Sequence, residues 1–185
     1  KNVRSRLMGI PTLITTNTES GDALSAFTSS IDSTYDEYMF VIYNFNPTSG
    51  SNFLWQASTD GGSNYGVTAT TTAFDAHHFE DGSATSLAYD TGQDQAQSTG
   101  NINLQWSTGS GADESSSGII HLFSPSSTTY VKHFYSRFSA YRGDDANTHA
   151  FVSGYFNTTS AINAVKFVAD SAMDFDAVIQ MYGIS

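Results

Sequence analysis

The sequence predicts an all-β domain, most closely a jelly-roll-like β-sandwich of about nine or ten strands. Charged residues make up only 14% of the chain, and Phe, Tyr and Gly are abundant. Strands favour Thr, Tyr, Phe, Val and Ile, whereas helical surfaces normally use Glu, Lys and Arg. Short β-rich segments alternate with polar turns along the chain, and no segment has the pattern of a three-turn helix.

The first half of the chain supplies three of these strands, after a segment in which the rhythm of strands and turns begins. "ALSAFTSSI" (23–31) precedes "YDEYMFVIYNFNP" (35–47), in which both alternating faces are largely apolar, as in a central strand. "NFLWQAST" (52–59) follows a Pro-Thr-Ser-Gly-Ser turn. The turn signal "DGGSNYG" (60–66) then leads into the β-branched segment "VTATTTAFDAHHF" (67–79).

The middle of the chain is less regular. Residues 80–100 are polar, and "TSLAYD" within them predicts a short strand. "NINLQWST" (101–108) predicts another strand, followed by the loop "GSGADESSSG" (109–118).

The strongest hairpin signal lies in "GIIHLFSPSSTTYVKHFYSRFSAYRG" (118–143). Two β-rich runs flank Ser-Pro-Ser-Ser, which cannot sit inside a ladder. In the second run, one predicted face carries Tyr130, Lys132, Phe134, Ser136, Phe138 and Ala140. The segments at 148–159, 161–170 and 175–184 complete the predicted set of strands.

Residues 1–22 lack the rhythm of strands and turns that runs through residues 23–185, and their first six residues also differ in charge from the rest of the chain. Formal net charge is −11, yet Lys1, Arg4 and Arg6 supply three of the seven basic residues. All 18 acidic residues follow Arg6, so the rest of the chain is strongly acidic and is expected to repel nucleic acid and anionic membranes. We therefore predict an extended N-terminal arm over 1–22, including an edge strand at 12–17, and a β-sandwich domain over 23–185.

Two interpretations of the arm remain open: a solubilising tail and a docking segment. Three exposed ion pairs would contribute only about 0–1 kcal/mol each, which is too little to order ten residues. Burial of Leu7, Met8 and Ile10 would add about 1.5–3 kcal/mol each, and strand pairing would satisfy the backbone. As a docking segment, the arm would bind a partner through Lys1, Arg4, Arg6, Leu7, Met8 and Ile10.

No pattern for catalysis, a metal site or a cofactor emerges. Cysteine is absent, and neither a Gly-x-Ser-x-Gly elbow nor a phosphate-binding loop occurs. His77 and His78 are neighbours on a predicted strand and point to opposite faces. His121 and His133 would face each other if the hairpin centre lay near Ser127, but no carboxylate is placed to complete a metal site.

Two binding sites remain as alternatives: a calcium site and a sugar-binding site. Acidic loop clusters could hold Ca²⁺, although solvated loop charge is the ordinary interpretation. Trp55 and Trp106, with Tyr65 and Tyr89, could form a sugar-stacking platform, although aromatic side chains in such a domain usually belong to the core.

Several stretches from residue 24 to residue 184 resemble small β-rich virion proteins of tailed bacteriophages, especially marine ones. The stretches are "FTSSIDSTYDEYMFVIYNFNP", "STDGGSNYGVTATTT", "GADESSSGIIHLFSPSSTTYVKHF", "GYFNTTSAINAVKF" and "IQMYGI". The resemblance does not include the arm. It implies a non-enzymatic virion component without catalytic residues or a cofactor, in the head or the tail.

From the arm and the resemblance together, we expect a capsid decoration (cement) protein on the outer shell of the virion. Its partners would be the major capsid protein and sister subunits of a homotrimer, with no nucleic acid and no membrane. The alternative is a tail-fibre or receptor-binding head that recognises a host surface glycan through Trp55 and Trp106. A free-standing carbohydrate-binding or hydrolytic domain is a third interpretation, for which no residue pattern argues.

Overall fold

The structure is a computed structural model that describes residues 9–185. All of its strand pairs are antiparallel and belong to one sheet. The twelve strands are β1 (Thr12–Asp22), β2 (Ser25–Phe27), β3 (Glu37–Pro47), β4 (Ser51–Ser58), β5 (Ala69–Phe79), β6 (Thr85–Tyr89), β7 (Ile102–Thr108), β8 (Ser116–Phe123), β9 (Lys132–Arg142), β10 (Ala146–Phe156), β11 (Ala164–Ala169) and β12 (Phe175–Ile184). A 3₁₀ turn at Asp170–Ala172 is the one helical element in the described residues.

The sheet curls into a nearly closed, barrel-like form. Its main path runs β1-β12-β3-β8-β9-β7-β4-β11-β2. The two ends of this path meet at Asn17, whose side-chain amide donates to Ser25 Oγ and to the carbonyl oxygen of Ala26, each at 3.1 Å. The Asn17 side chain thus connects β1 with β2 at the position where a β1–β2 ladder would close the sheet into a barrel.

A second branch leaves the main path at β9. β10 pairs with β9 along its whole length and also pairs with β5, which in turn pairs with β6. The β8–β9–β10–β5 region is therefore a broad surface of long, directly neighbouring strands. Its outward side chains lie in rows, because the registers between these strands contain no shift.

Aromatic side chains fill the interior of the curled sheet. Phe167 on β11 stacks on Phe53 of β4, with ring centroids 5.6 Å apart, and lies 6.3 Å from Trp55. The edges of Phe27 and Phe40 close the other side of the same ring, at 6.0 and 5.5 Å. Fully buried aromatic rings contribute the largest apolar areas available to a domain of this size, so this cluster is the centre of its stability.

A bulge in β3 changes which side chains face the core. Tyr38, Phe40 and Ile42 are buried in strict alternation, and then Asn44 adopts a positive φ of 52°. The register with β8 shifts between Ile42 and Phe45, so Phe45 joins the buried face. Alternation in the sequence alone would place Phe45 with Met39 and Val41 on the opposite face.

The all-β class predicted from the sequence is confirmed, and so is the hairpin at 118–143. Five of the six side chains predicted to share a face of that hairpin are buried on β9; Tyr130 precedes the strand and is exposed. The structure has twelve strands where nine or ten were predicted. They form one nearly closed sheet, and a jelly-roll sandwich remains an expectation.

The predicted arm over 1–22 joins the sheet over much of its length. Residues 12–22 form β1, which pairs with β12 from Thr12↔Gly183 to Asp22↔Phe175. Gly9 lies against the backbone of Ser185. The predicted contacts of Lys1, Arg4, Arg6, Leu7 and Met8 fall on residues 1–8, outside the described range.

Within residues 9–185, no helix has the length and the apolar character needed to cross a membrane.

Candidate functional site

The two tryptophans of the sequence-predicted sugar platform do not lie at the surface. Trp55 is fully buried beside Phe134 and Phe156, with ring centroids 4.9 and 5.3 Å away, and Trp106 is only 5% exposed. Neither indole presents a face to solvent, because both belong to inward positions of β4 and β7. These two tryptophans therefore stabilise the fold and cannot stack on a ligand in this conformation.

Exposed aromatic side chains lie instead on the outward surface of β8, β9, β10 and β5, here called the outer aromatic face. Its ring-bearing residues are His121, Phe123, His133, Tyr135, Tyr141, His149, Phe151, Tyr155, Phe74 and His78. Tyr135 is 44% exposed and Phe74 is 42% exposed, fractions that leave ring surface open to a ligand. Sequence alternation on β5, β9 and β10 could have found this face, but the order of the strands could not be predicted.

The rings of the outer aromatic face form stacked groups. His121 stacks on Tyr135 across the β8–β9 ladder, with centroids 4.7 Å apart, and Phe123 lies 5.8 Å from the same tyrosine. Phe74 stacks on Phe151 across the β5–β10 ladder at 4.8 Å and an angle of 6°. Each group is held by cross-strand register, so the rings are preorganised by the sheet.

Two grooves separate these groups, and Tyr135 and Ser153 border both. The first, of about 260 Å³, lies between Tyr135 and Arg137 on one side and Phe151 and Phe74 on the other. The second, of about 360 Å³, is lined by Thr70, Thr72, Phe123, His133, Tyr135, Ser153 and Tyr155. Thr72 and Ser153 share a hydrogen bond of 3.0 Å at the boundary between the two grooves.

The electrostatic character of the outer aromatic face differs from that of the whole chain. None of the outward positions on β8, β9, β10 and β5 is Asp or Glu, although the chain contains 18 acidic residues. Arg137 is exposed and forms no ion pair or hydrogen bond with residues 9–185. Burial and the nearby charge of Arg137 lower the pKa of His149, which favours the neutral imidazole.

The histidine pair expected across the hairpin does not form. The β8–β9 register places His121 opposite Tyr135, because the hairpin centre lies near Thr128 and not near Ser127. The Nδ1 atom of His121 contacts a carboxylate oxygen of Glu37 on β3. Among residues 9–185, no group of three or more His, Asp or Glu side chains is placed to hold a metal ion.

A polar groove of about 420 Å³ near the β4–β5 turn is a weaker candidate. Its carboxylate, Asp60, accepts hydrogen bonds from the Ser58 hydroxyl and from the backbone and side-chain nitrogens of Asn64. These bonds, chiefly those from Asn64 and Ser58, lower the pKa of Asp60 to about 2. The carboxylate oxygens are engaged in shaping the turn, so this groove is best explained by local structure.

Comparison with known proteins identifies no relative. No family model matches the chain, and no curated protein matches it. One solved structure, an exo-inulinase from Aspergillus awamori, aligns with 96% of this chain at 8% identity and a TM-score of 0.25. The alignment spans 30% of the inulinase chain, and a likeness at this level carries no argument about fold or function.

Proposed function

We propose that the protein is a structural component of a tailed-phage virion, a capsid decoration protein that binds the outer shell through its N-terminal segment. Its partners would be the major capsid protein and sister subunits of a homotrimer. The observation that carries the proposal is a strand edge at β1 that has no partner strand among residues 9–185 and is bordered by exposed apolar side chains.

The open edge is suited to strand addition. Within residues 9–185, β1 has a ladder with β12 on one side only, and its side-chain hydrogen bonds to β2 come from Asn17. Ile10 is 86% exposed and Leu13 is 50% exposed beside this edge. A partner strand would hydrogen-bond to the free backbone groups and cover both side chains.

Charge in the sequence supports the same role. Lys1, Arg4 and Arg6 precede this edge, while residues 9–185 contain four basic and 18 acidic residues. A basic segment next to an open edge would attach to an acidic or polar shell surface, while the acidic remainder faces solvent. Many such contacts on one lattice would add avidity.

The pairing order supports a jelly-roll-like topology, which is typical of viral capsid and lectin domains. β3 pairs with β12, β4 with β11 and β5 with β10, and these nested pairs enclose the β8–β9 hairpin. Nested antiparallel pairs are what a long folded ribbon produces when it rolls up. The β3–β8 ladder adds a further long-range pairing, and β9 and β10 form a hairpin closed by residues 143–145.

Deletion of residues 1–10 tests the proposal. The shortened protein should remain folded, because β1 begins at Thr12, but should fail to bind virus particles that lack the native protein. Binding is measured by co-sedimentation with particles, and a Tyr130→Ala variant of the full chain is the matched surface control. Normal occupancy of particles by the shortened protein would refute attachment through this segment.

A second candidate is a tail-fibre or receptor-binding head that recognises a host surface glycan. The outer aromatic face, with its two grooves, favours this candidate, although the residues involved are not the predicted Trp55 and Trp106. Labelling intact particles with an antibody to the protein separates the two: signal over the shell supports decoration, and signal at the tail supports the receptor-binding head.

A further inference from the structure

We propose that the outer aromatic face binds a glycan in which a carboxylated sugar is linked to a neutral sugar. The carboxylated sugar would occupy the groove beside Arg137, and the neutral sugar would occupy the groove beside His133. This inference is independent of the proposed virion role, because it concerns β5, β8, β9 and β10 and not the N-terminal segment.

The geometry of the two grooves favours a chain of linked rings. Both grooves are open to solvent and share Tyr135 and Ser153 as a common border, so a ligand of two units can lie across that border. Small-molecule sites span roughly 300–1,000 Å³. The second groove, of about 360 Å³, falls within this range, and the first, of about 260 Å³, is slightly smaller. The exposed ring of Tyr135 offers an apolar surface for the C–H face of a sugar, and the hydroxyls of Thr72 and Ser153 offer hydrogen bonds.

Arg137 selects a carboxylate in the first groove. Arg137 lies between Ile119 and Phe151 in the cross-strand row, and its guanidinium has no anionic partner in residues 9–185. A planar guanidinium binds a carboxylate with two parallel hydrogen bonds, which a neutral sugar cannot provide. No acidic side chain occupies the outward positions of these four strands, and Glu37 on the neighbouring strand β3 contacts His121 and not Arg137.

The negative charge of the rest of the protein restricts the ligand to a glycan whose carboxylates are separated by neutral sugars. One arginine can neutralise one carboxylate, whereas residues 9–185 as a whole are strongly acidic. A polymer with an anionic group on every unit, such as single-stranded DNA or a homopolymer of uronic acid, would be repelled beyond the groove. The second groove has hydroxyl and imidazole groups from Thr70, Thr72, Ser153 and His133, which suit a neutral sugar.

The test uses the full chain and three oligosaccharide probes in isothermal titration calorimetry. The probes are an oligosaccharide alternating glucuronic acid with a neutral hexose, the same oligosaccharide with its carboxyls reduced to hydroxymethyl groups, and oligogalacturonate. We expect the alternating oligosaccharide to bind at least about tenfold more tightly than either of the others.

Two variants assign the roles, and each has a matched control. Arg137→Gln should weaken binding of the alternating oligosaccharide about tenfold and leave the carboxyl-reduced one unchanged, while Tyr135→Ala should weaken both. Lys166→Gln removes a positive charge on β11, and Tyr130→Ala removes an exposed tyrosine outside the face; neither should alter binding. All four side chains are at least partly exposed, so circular dichroism should show native folding in each variant.

Three outcomes would overturn the inference: binding of no probe at about 10 mM, binding that both Arg137→Gln and Tyr135→Ala leave unchanged, or tighter binding of oligothymidylate than of the sugars. Deletion of residues 1–10 should not change sugar binding. Failure of particle attachment and failure of sugar binding can therefore be told apart.

Discussion

Lys132 shows how a single residue combines charge with complete burial. Its side chain is fully buried on β9, and its ammonium donates to the carbonyl oxygens of Tyr130 and Thr158 at 3.0 and 3.1 Å. Desolvation lowers the pKa of this lysine, because burial disfavours the charged form. The ammonium thereby ties the start of β9 to the segment that follows β10.

We predict that Lys132→Ala lowers the free energy of unfolding by about 1–3 kcal/mol, because two buried carbonyls lose their donor and a cavity remains. Chemical denaturation followed by tryptophan fluorescence measures the change. Lys166→Ala is the control, since that ammonium lies over the Tyr65 ring at 5.1 Å and should contribute about 0.5–1 kcal/mol. Equal losses in both variants would contradict a special role for Lys132.

Residue patterns predicted the inward position of Lys132 but not its partners. Alternation along β9 places it on the face of Phe134 and Phe138, which the structure confirms. The carbonyl of Thr158 lies beyond β10, and no local pattern connects it with Lys132. The outer aromatic face was not predicted for the same reason, because its members are far apart in the sequence. The sequence prediction of a sugar platform rested instead on Trp55 and Trp106, which are buried.

At the level of elements, local signals predicted most strands and their turns. The β8–β9 hairpin, β3, β5 and β12 fall close to their predicted ranges because each has strong β propensity and clear turn residues at its ends. The bulge at Asn44 was not predictable from alternation, since one positive-φ residue reverses the faces of everything that follows. β2, with three residues, is too short to give a periodic signal.

The β8–β9 pair depends on a glycine at the crowded inner surface. A Cβ atom at Gly118 would overlap the ring of Phe138 and the carbonyl oxygen of Arg137. Both are parts of the neighbouring strand, and Phe138 is fully packed in the core. Close approach of β8 to β9 therefore requires the absence of a side chain at this position.

We predict that Gly118→Ala lowers the free energy of unfolding by about 1–3 kcal/mol through overpacking. Gly50→Ala is the matched control, because a Cβ atom there would meet only Thr108 O at an ordinary 3.6 Å. Thermal denaturation by circular dichroism compares the two variants. An unchanged melting temperature in Gly118→Ala would show that β8 and β9 separate easily.

At the level of the whole molecule, the sheet is held together by pairs that are distant in the sequence. β1 pairs with β12, and β3 pairs with the other edge of β12. Sequence patterns identified these strands individually, but long-range pairing depends on how all of the apolar faces are covered at once. The predicted boundary at residue 22 falls at the end of β1, an edge strand of this sheet.

We predict that deletion of residues 1–22 causes self-association, whereas deletion of residues 1–10 does not. The longer deletion replaces the polar, largely exposed strand β1 as the edge of the sheet by the more apolar strand β12, and an unpaired apolar edge is a template for pairing with other chains. Size-exclusion chromatography with light scattering measures the mass of each shortened protein. If both elute with the mass of the intact protein, β1 does not protect the sheet.

The position of β12 between β1 and β3 also has a consequence for synthesis. During translation, β1 and β3 leave the ribosome long before the strand that must join them. High contact order of this kind slows folding, and nascent chains wait with open edges until the pairing strand emerges. We therefore expect the sheet to close slowly and only after β12 has been synthesised, and we expect the protein to need chaperones during expression.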